Sequence, residues 1–420
     1  MSEKIIRDPV HDVIAFQLER PTDALLFRLL NAAEFQRLRR IRQLGMASLA
    51  YPGADHSRHS HSVGVMQTAC RMLDQLRRAF YIPDEDITTC LAAALLHDLG
   101  HGPFSHVFER VSEVDHEELT RRVILDPDSE VNQVLVQHDS SLPQRIVQLL
   151  SGHPRKTYLS DILTGQLDAD RLDYLLRDNL MTGSQYGNYD ITWLLHALTI
   201  DEPSNRLAVT WKGVSAVEAY LQSRYHMYRN VYFHKVVRSG EGMLKLALQR
   251  AKRLAVQGRL TWPKEENPVY KALLGQQLDI HEFTDLDDIS VLHCFKLWAD
   301  ADEPVLASLC RGLLYRKVFK TIDLGRVADK QEIDRLIQQL NDAIASKGGE
   351  PAYEMFYDEP SDVPYETSGI LVKQRDGKLV DLSSISSMVD ALNKQLWFRR
   401  LHVAPQWREL AEELVRGRSA

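Results

Sequence analysis

The run Leu91–Leu96, LAAALL, has no polar face and leads directly into His97 and Asp98. A helix that is apolar all round has to be enclosed on every side. The chain must therefore build a body around this segment, and the segment then delivers two polar side chains into that body. Burying an imidazole and a carboxylate there is costly unless strong partners meet them. Gly100, Gly102 and Pro103 break the helix immediately afterwards. With 420 residues, 44% of them hydrophobic, the chain can supply a large core, and its length suggests two or three domains.

Helical periodicity recurs along the first half. Thr22–Gly45 places Leu25, Leu26, Leu29, Leu30, Phe35, Leu38, Ile41 and Leu44 at helical spacing, with Gly45 as a stop. Its polar face carries Arg37, Arg39, Arg40 and Arg42 and reads as a solvated face, or else as a phosphate or subunit contact. Ser60–Tyr81, Asp86–His97, Asp161–Asp178 and Val214–Arg229 also read as helices, and Leu207–Trp211 as a short strand. After about Val256 proline, aspartate and mixed charge recur. Glu350–Val363 reads as an exposed acidic loop, Ile370–Val372 and Lys378–Val380 as a hairpin around KQRDG, and Ser383–Leu396 as a helix. The expected fold is mainly α: a helical body over 1–255 and a smaller α+β region over 256–420.

The net charge of −7 gives no global nucleic-acid-binding signature, although a local basic patch is compatible with it. Cys70, Cys90, Cys294 and Cys310 form no CxxC pair, which suits a reducing compartment. The N-terminus MSEKIIRDPVHD lacks a leader-like apolar stretch, and no apolar run approaches the roughly 20 residues that span a bilayer. The expectation is a soluble cytoplasmic protein with no membrane partner.

Histidine is unevenly placed, with seven of sixteen between His56 and His116. A single helical histidine is usually structural. The segments HSRHSH (56–61) and HDLGHGPFSH (97–106) are harder to explain that way. Imidazole plus carboxylate suits a divalent metal, with open positions for water. His97 and Asp98 need two more ligands, and His61 and Asp170 are the best candidates. Asp168, Asp170 and Asp173 also lie near a helix start, where capping explains one or two of them. The donor set fits Mn, Fe, Co, Ni or Zn, and Mg with waters completing its shell.

The order His61…His97-Asp98…Asp170 resembles the H…HD…D signature of HD-superfamily phosphohydrolases. The segments IIRDPVHDVI, FQRLRRIRQLG, YPGADHSRHSHSVGV, LLHDLGHGPFSHVFE and DADRLDYLLRD resemble its deoxynucleoside triphosphate (dNTP) triphosphohydrolases over about residues 4–240. The resemblance implies one metal on His61, His97, Asp98 and Asp170. It places His101, His106 and His116 around the attacked phosphate, with Glu109 and Glu117 behind them. Water attacks the α-phosphorus, the nucleoside 5′-oxygen leaves, and a histidine serves as general acid. Arg58, Arg171 and Arg224 match triphosphate-clamping positions, Arg171 standing where close relatives carry lysine. Gln43, Leu44, Tyr174, Asp178 and Tyr232 match positions that hold the sugar, with Tyr174 beneath the missing 2′-hydroxyl. Lys4, Ile5, Gln36, Arg37 and Arg39 resemble an activator-nucleotide site at subunit contacts. Asn31 and Asp12 depart from the guanine-reading version of that site. A homo-oligomer, dimer or tetramer, is implied.

The leading expectation is dNTP hydrolysis to deoxynucleoside and triphosphate. A 3′–5′ exonuclease on single-stranded nucleic acid is the alternative enzyme, and a nucleotide sensor without turnover is the non-enzymatic one.

Overall fold

The computed structural model describes residues 3–152, 156–263, 267–325, 329–363, 365, 369–393 and 396–416. The apolar run forms the last turns of a helix over Asp84–Leu96, in which every residue from Ile87 to Leu96 is buried. Asp84, Glu85 and Asp86 occupy its first turn, where carboxylates oppose the positive end of the helix dipole. It packs against the helices Arg58–Leu76 and Leu142–Leu150, and Arg58–Leu76 packs in turn on Ala169–Thr182. One large apolar core reaches from Ile14 to Ala404. A smaller cluster joins Ile322, Ile333, Leu336, Leu340, Leu401 and Val403.

Two long helices expected from periodicity are broken. Thr22–Gly45 becomes the helices Pro21–Asn31 and Ala33–Arg37 and a 3-10 turn over Leu38–Arg40. Ala32 between them is extended, at φ −63° and ψ 141°. The break lets the Ala33 amide donate to Glu130, while Glu34 accepts from the amides of Glu130 and Val131. Gly45 does adopt the left-handed conformation, φ +50°. Asp161–Asp178 becomes Thr157–Thr164 and Ala169–Thr182, and Asp168 caps the second by accepting from the Arg171 amide at 2.7 Å. Capping therefore accounts for one of the three aspartates.

The N-terminal residues form a hairpin, Glu3–Asp8 against Asp12–Gln17, with Ile14 and Phe16 turned into the core. The hairpin expected near KQRDG is present as Leu371–Lys373 against Leu379–Asp381. It joins the helical body because Leu371–Lys373 pairs parallel with Arg206–Thr210. Glu350–Val363 is not simply an exposed loop. It contains the strand Met355–Asp358, which pairs with Arg400–Val403 and buries Met355 in the smaller core. Only Ser387–Leu392 of the helix expected over 383–396 is α-helical, and residues 394 and 395 lie outside the described residues. Among the described residues no helix is long and apolar enough to cross a membrane.

The helices Arg58–Leu76 and Ala169–Thr182 meet at Gly64, where a Cβ would collide with the side chains of Asp173 and Arg177. Gly64→Ala is expected to destabilise the protein by about 1–3 kcal/mol, read as a lowered midpoint in thermal unfolding. An unchanged midpoint would show that the helices separate freely.

Candidate active site

His61 lies in the first turn of the Arg58–Leu76 helix, His97 at the end of Asp84–Leu96, and Asp170 in the first turn of Ala169–Thr182. The three converge. His61 Nε2 is 2.9 Å from Asp170 Oδ1, and His97 Nε2 is 3.7 Å from the same oxygen. Asp98 completes the group, with Oδ1 at 3.3 Å from His97 Nε2 and Oδ2 at 3.9 Å from His61 Nε2.

Each imidazole is oriented from behind. His97 Nδ1–H donates to the Ala94 carbonyl at 2.9 Å, leaving Nε2 buried without a hydrogen-bond partner. His61 Nδ1–H donates to Asp173 at 2.8 Å, so its Nε2 also points inward. A carboxylate or carbonyl on the far nitrogen is the arrangement that presents imidazole to a metal. Burial opposes a charge on His61, but Asp170 and Asp173 outweigh it and push its pKa up to about 10. The same surroundings hold the Asp170 and Asp98 carboxyls well below their usual range, with Arg58 the strongest influence on Asp98 after burial. These groups fit a divalent cation: two inward nitrogens, one of them orphaned, face two ionised carboxylates. His61, His97 and Asp170 are close enough to share one ion.

A second cluster lies beside the first. Glu109 accepts from Nδ1 of His116 at 3.0 Å and of His106 at 3.1 Å, so both rings are held with Nε2 free. His101 Nε2 lies 3.3 Å from Asp98 Oδ1, and its ring stacks on His116 with centroids 4.0 Å apart. His101, His106, Glu109 and His116 offer donor atoms close enough together to hold an ion as well. Burial and Arg58 hold the pKa of His101 and His106 below the usual value. Glu117 is mostly exposed, lies 3.6 Å from Arg121, and lines the outer part of the same cavity as these histidines.

The loop carrying these histidines is under backbone strain, with Phe104 and Ser105 at φ +52° and +55°. Ser105 Oγ accepts from Arg58 Nε and Nη2 at 3.0 and 2.7 Å, and Arg58 also donates to Asp98. Asp288 fixes the loop from below. It accepts from the Phe104 amide at 2.7 Å and from the Arg42 amide at 3.0 Å, and burial pushes its pKa up to about 6.

Two cavities meet here. One, of about 440 Å³, is lined by His61, His97, Asp98, Asp170, the three other histidines and Arg171. The other, of about 320 Å³, is lined by Leu44, Asp178 and Tyr232. Gln43, Arg58, His106, Tyr174 and Tyr228 line both. Tyr228 and Tyr232 bracket a π-turn that continues the Val214–Met227 helix, and such turns often occur at functional sites. Asp178 is held by His56 Nε2 at 2.7 Å and by the Tyr232 hydroxyl at 2.8 Å.

Not every residue singled out from the sequence faces these cavities. Arg224 is tied to Asp362 and the Val363 carbonyl, both at 2.9 Å. Arg37 is a correction to the solvated-face reading. It is fully buried, donates to the Leu286 and Leu99 carbonyls, lies 4.1 Å over the Phe283 ring, and burial draws its pKa down to about 9. It is enclosed, and so stands apart from the exposed Lys4, Ile5 and Arg39 and the half-buried Gln36. Arg39 Nε donates to Gln36. His11, His56, Asp173 and Asp288 were not among the expected site residues. For Asp173 the one available signal was its place, three residues after Asp170, on the same helix.

The HD domain family matches residues 58–178, and the HD associated region matches 189–259. The chain is 36% identical to the Bacillus subtilis protein YwfO, over 93% of this chain and 89% of that one. This protein belongs to the HD-domain family. A phosphohydrolase structure from Bacteroides thetaiotaomicron superposes with a TM-score of 0.82 at 29% identity, covering 96% of this chain and 100% of that one. The zebrafish deoxynucleoside triphosphate triphosphohydrolase SAMHD1 is 29% identical over 59% of this chain and 45% of its own length. The chain is thus an HD-domain phosphohydrolase that spans less than half of that relative.

In this phosphohydrolase Asp173 neutralises several buried groups at once. Asp173→Ala is expected to cost about 3–5 kcal/mol by leaving Arg177 buried beside an unpaired His61. Chemical denaturation measures this, and a loss below about 1 kcal/mol would show that Asp8 alone suffices for Arg177.

Proposed function

We propose that the phosphohydrolase cleaves dNTPs to deoxynucleoside and inorganic triphosphate. The observation that carries this reading is the junction of the two cavities. One is lined by imidazoles, carboxylates and arginines, the other by aromatic and polar groups of nucleoside size, and the meeting point lies at Arg58, His106 and Tyr174. A triphosphate in the first and a deoxynucleoside in the second would bring the α-phosphorus to that point. The likeness to SAMHD1, named as a dNTP triphosphohydrolase, supports the same assignment.

His61, His97, Asp98 and Asp170 would hold the cation. When bound, a divalent cation supplies Lewis-acid polarisation of water and phosphoryl oxygen. Arg58 and Arg171 offset the charge of the phosphate oxygens, and His101 and His116 line the same side of the cavity. Water adds to the α-phosphorus as the bond to the 5′-oxygen breaks. His106, held through Nδ1–H by Glu109, acts in its imidazolium form: its Nε2–H goes to the departing 5′-oxygen, and Nε2 regains the proton shed by the attacking water. Gln43 and Asp178 reach the 3′-hydroxyl, and Tyr174 closes the space that a ribose 2′-hydroxyl would need. The buried Asp178–Tyr232–His56 contacts keep this wall rigid.

Product analysis with dNTPs, NTPs and end-labelled single-stranded DNA, under Mn and under Mg, tests the proposal. Inorganic triphosphate released from dNTPs is expected. Mononucleotides from DNA with no triphosphate would instead identify an exonuclease, and bound nucleotide without turnover a sensor. Asp98→Ala should lose metal content and activity together, as read by elemental analysis and triphosphate release. His116→Ala should keep its metal while the rate falls by about 10²–10⁴. An Asp98→Ala protein with full activity rejects the ligand set. Tyr174→Ala should narrow the preference for dATP over ATP by about tenfold or more, and an unchanged ratio removes Tyr174 from sugar choice.

A further inference from the structure

The nucleoside cavity extends beyond what a sugar needs. Its lining includes Tyr232, Val237 and three charged side chains, Arg110, Arg238 and Glu241, which also line a smaller neighbouring cavity of about 150 Å³. Two of the three are locked together. Arg238 donates from Nε and Nη2 to Asp358 at 3.0 and 2.6 Å, and from Nη1 to Glu241 Oε2 at 2.6 Å. Asp358 is itself fixed in the strand that pairs with Arg400–Val403. Arg238 therefore cannot follow a ligand, and its role is to hold the Glu241 carboxylate in one orientation. Glu241 Oε2 takes that bond, and Oε1 has no hydrogen bond among the described residues. Arg110 is exposed and has no hydrogen bond among the described residues.

A half-buried carboxylate with a spare oxygen accepts hydrogen bonds only. Guanine is the base that offers two adjacent N–H donors, at N1 and N2, on one edge. Its O6 and N7 accept, and they match the guanidinium of Arg110, which only donates. Adenine, cytosine and thymine each present one such donor group, which can fill Oε1 but leaves the second lone pair of Oε2, beside the Arg238 bond, without a donor. Leaving a buried polar group unpaired is what makes hydrogen-bonding pockets selective.

We infer that Glu241 and Arg110 form the base-reading end of the nucleoside pocket and give this enzyme a preference for dGTP. The inference rests on the dNTP reading above and adds a base to it.

The test is kcat/KM for all four dNTPs, measured by triphosphate release from the metal-loaded enzyme. The unmodified protein should favour dGTP. Glu241→Gln keeps the shape and an acceptor for Arg238, but turns an N–H₂ toward the guanine donors. It should lower the ratio of dGTP to dTTP on the order of tenfold. Arg110→Gln, at an exposed position, should lower the same ratio, and it carries the test alone should Glu241→Gln fail to fold. Equal kcat/KM for all four bases in the unmodified protein, or an unchanged ratio in a folded variant, overturns the inference while the triphosphohydrolase reading stands. No triphosphate from any dNTP removes that reading, and this inference with it.

Discussion

Asp173 is the group on which the rest of the site depends. One fully buried carboxylate accepts from His61 Nδ1, from Arg177 Nε and Nη2, and from His11 Nε2, all within 2.7–2.9 Å. Arg177 in turn donates to Asp8. The N-terminal hairpin, the Arg58–Leu76 helix and the Ala169–Thr182 helix are thus tied at a single point, beneath the two inward nitrogens. Two acids balanced by one arginine and two imidazoles in a buried interior form a costly arrangement, made tolerable by the hydrogen bonds that the Asp173 oxygens accept, while His11 Nδ1 stays without a partner among the described residues. The outcome is that the His61 ring is held in one orientation, with Nε2 directed inward.

What could be read from the sequence follows from how locally each feature is encoded. His97 and Asp98 are adjacent, and their apolar helix dictates that they end up inside. Asp170 was readable as a candidate because its helix starts there, although the same segment also permitted a capping role, which in the structure falls to Asp168. Helix identity along 58–76 and 84–96 was equally local. The breaks within 22–45 and 161–178 were not. Ala32 has ordinary helical propensity, and it is extended because the Ala33 amide and Glu34 are used by residues 96–97 positions away.

The supporting residues were hidden for the same reason. His11 meets Asp173 across 162 residues and His56 meets Asp178 across 122, distances at which spacing carries no signal. Arg37 shows the reverse error. Its pattern along the helix is that of a surface residue, yet Phe283 and the Leu286 and Leu99 carbonyls enclose it. Only a segment far along the chain could make that burial tolerable, and no helical wheel displays such a segment.

Asp288 extends this logic beyond the matched HD region. Its two oxygens hold the amides of Phe104 and Arg42, so a single side chain fixes both the strained histidine loop and the turn leading into Gln43. A shortened polypeptide ending at residue 259 would retain every imidazole and carboxylate of the cation site. It would lack Asp288, whose side chain staples these two loops to one another. The boundary of the recognisable domain is therefore not the boundary of the working catalyst, and excising the former would give a protein with all its ligands and a slack floor beneath them.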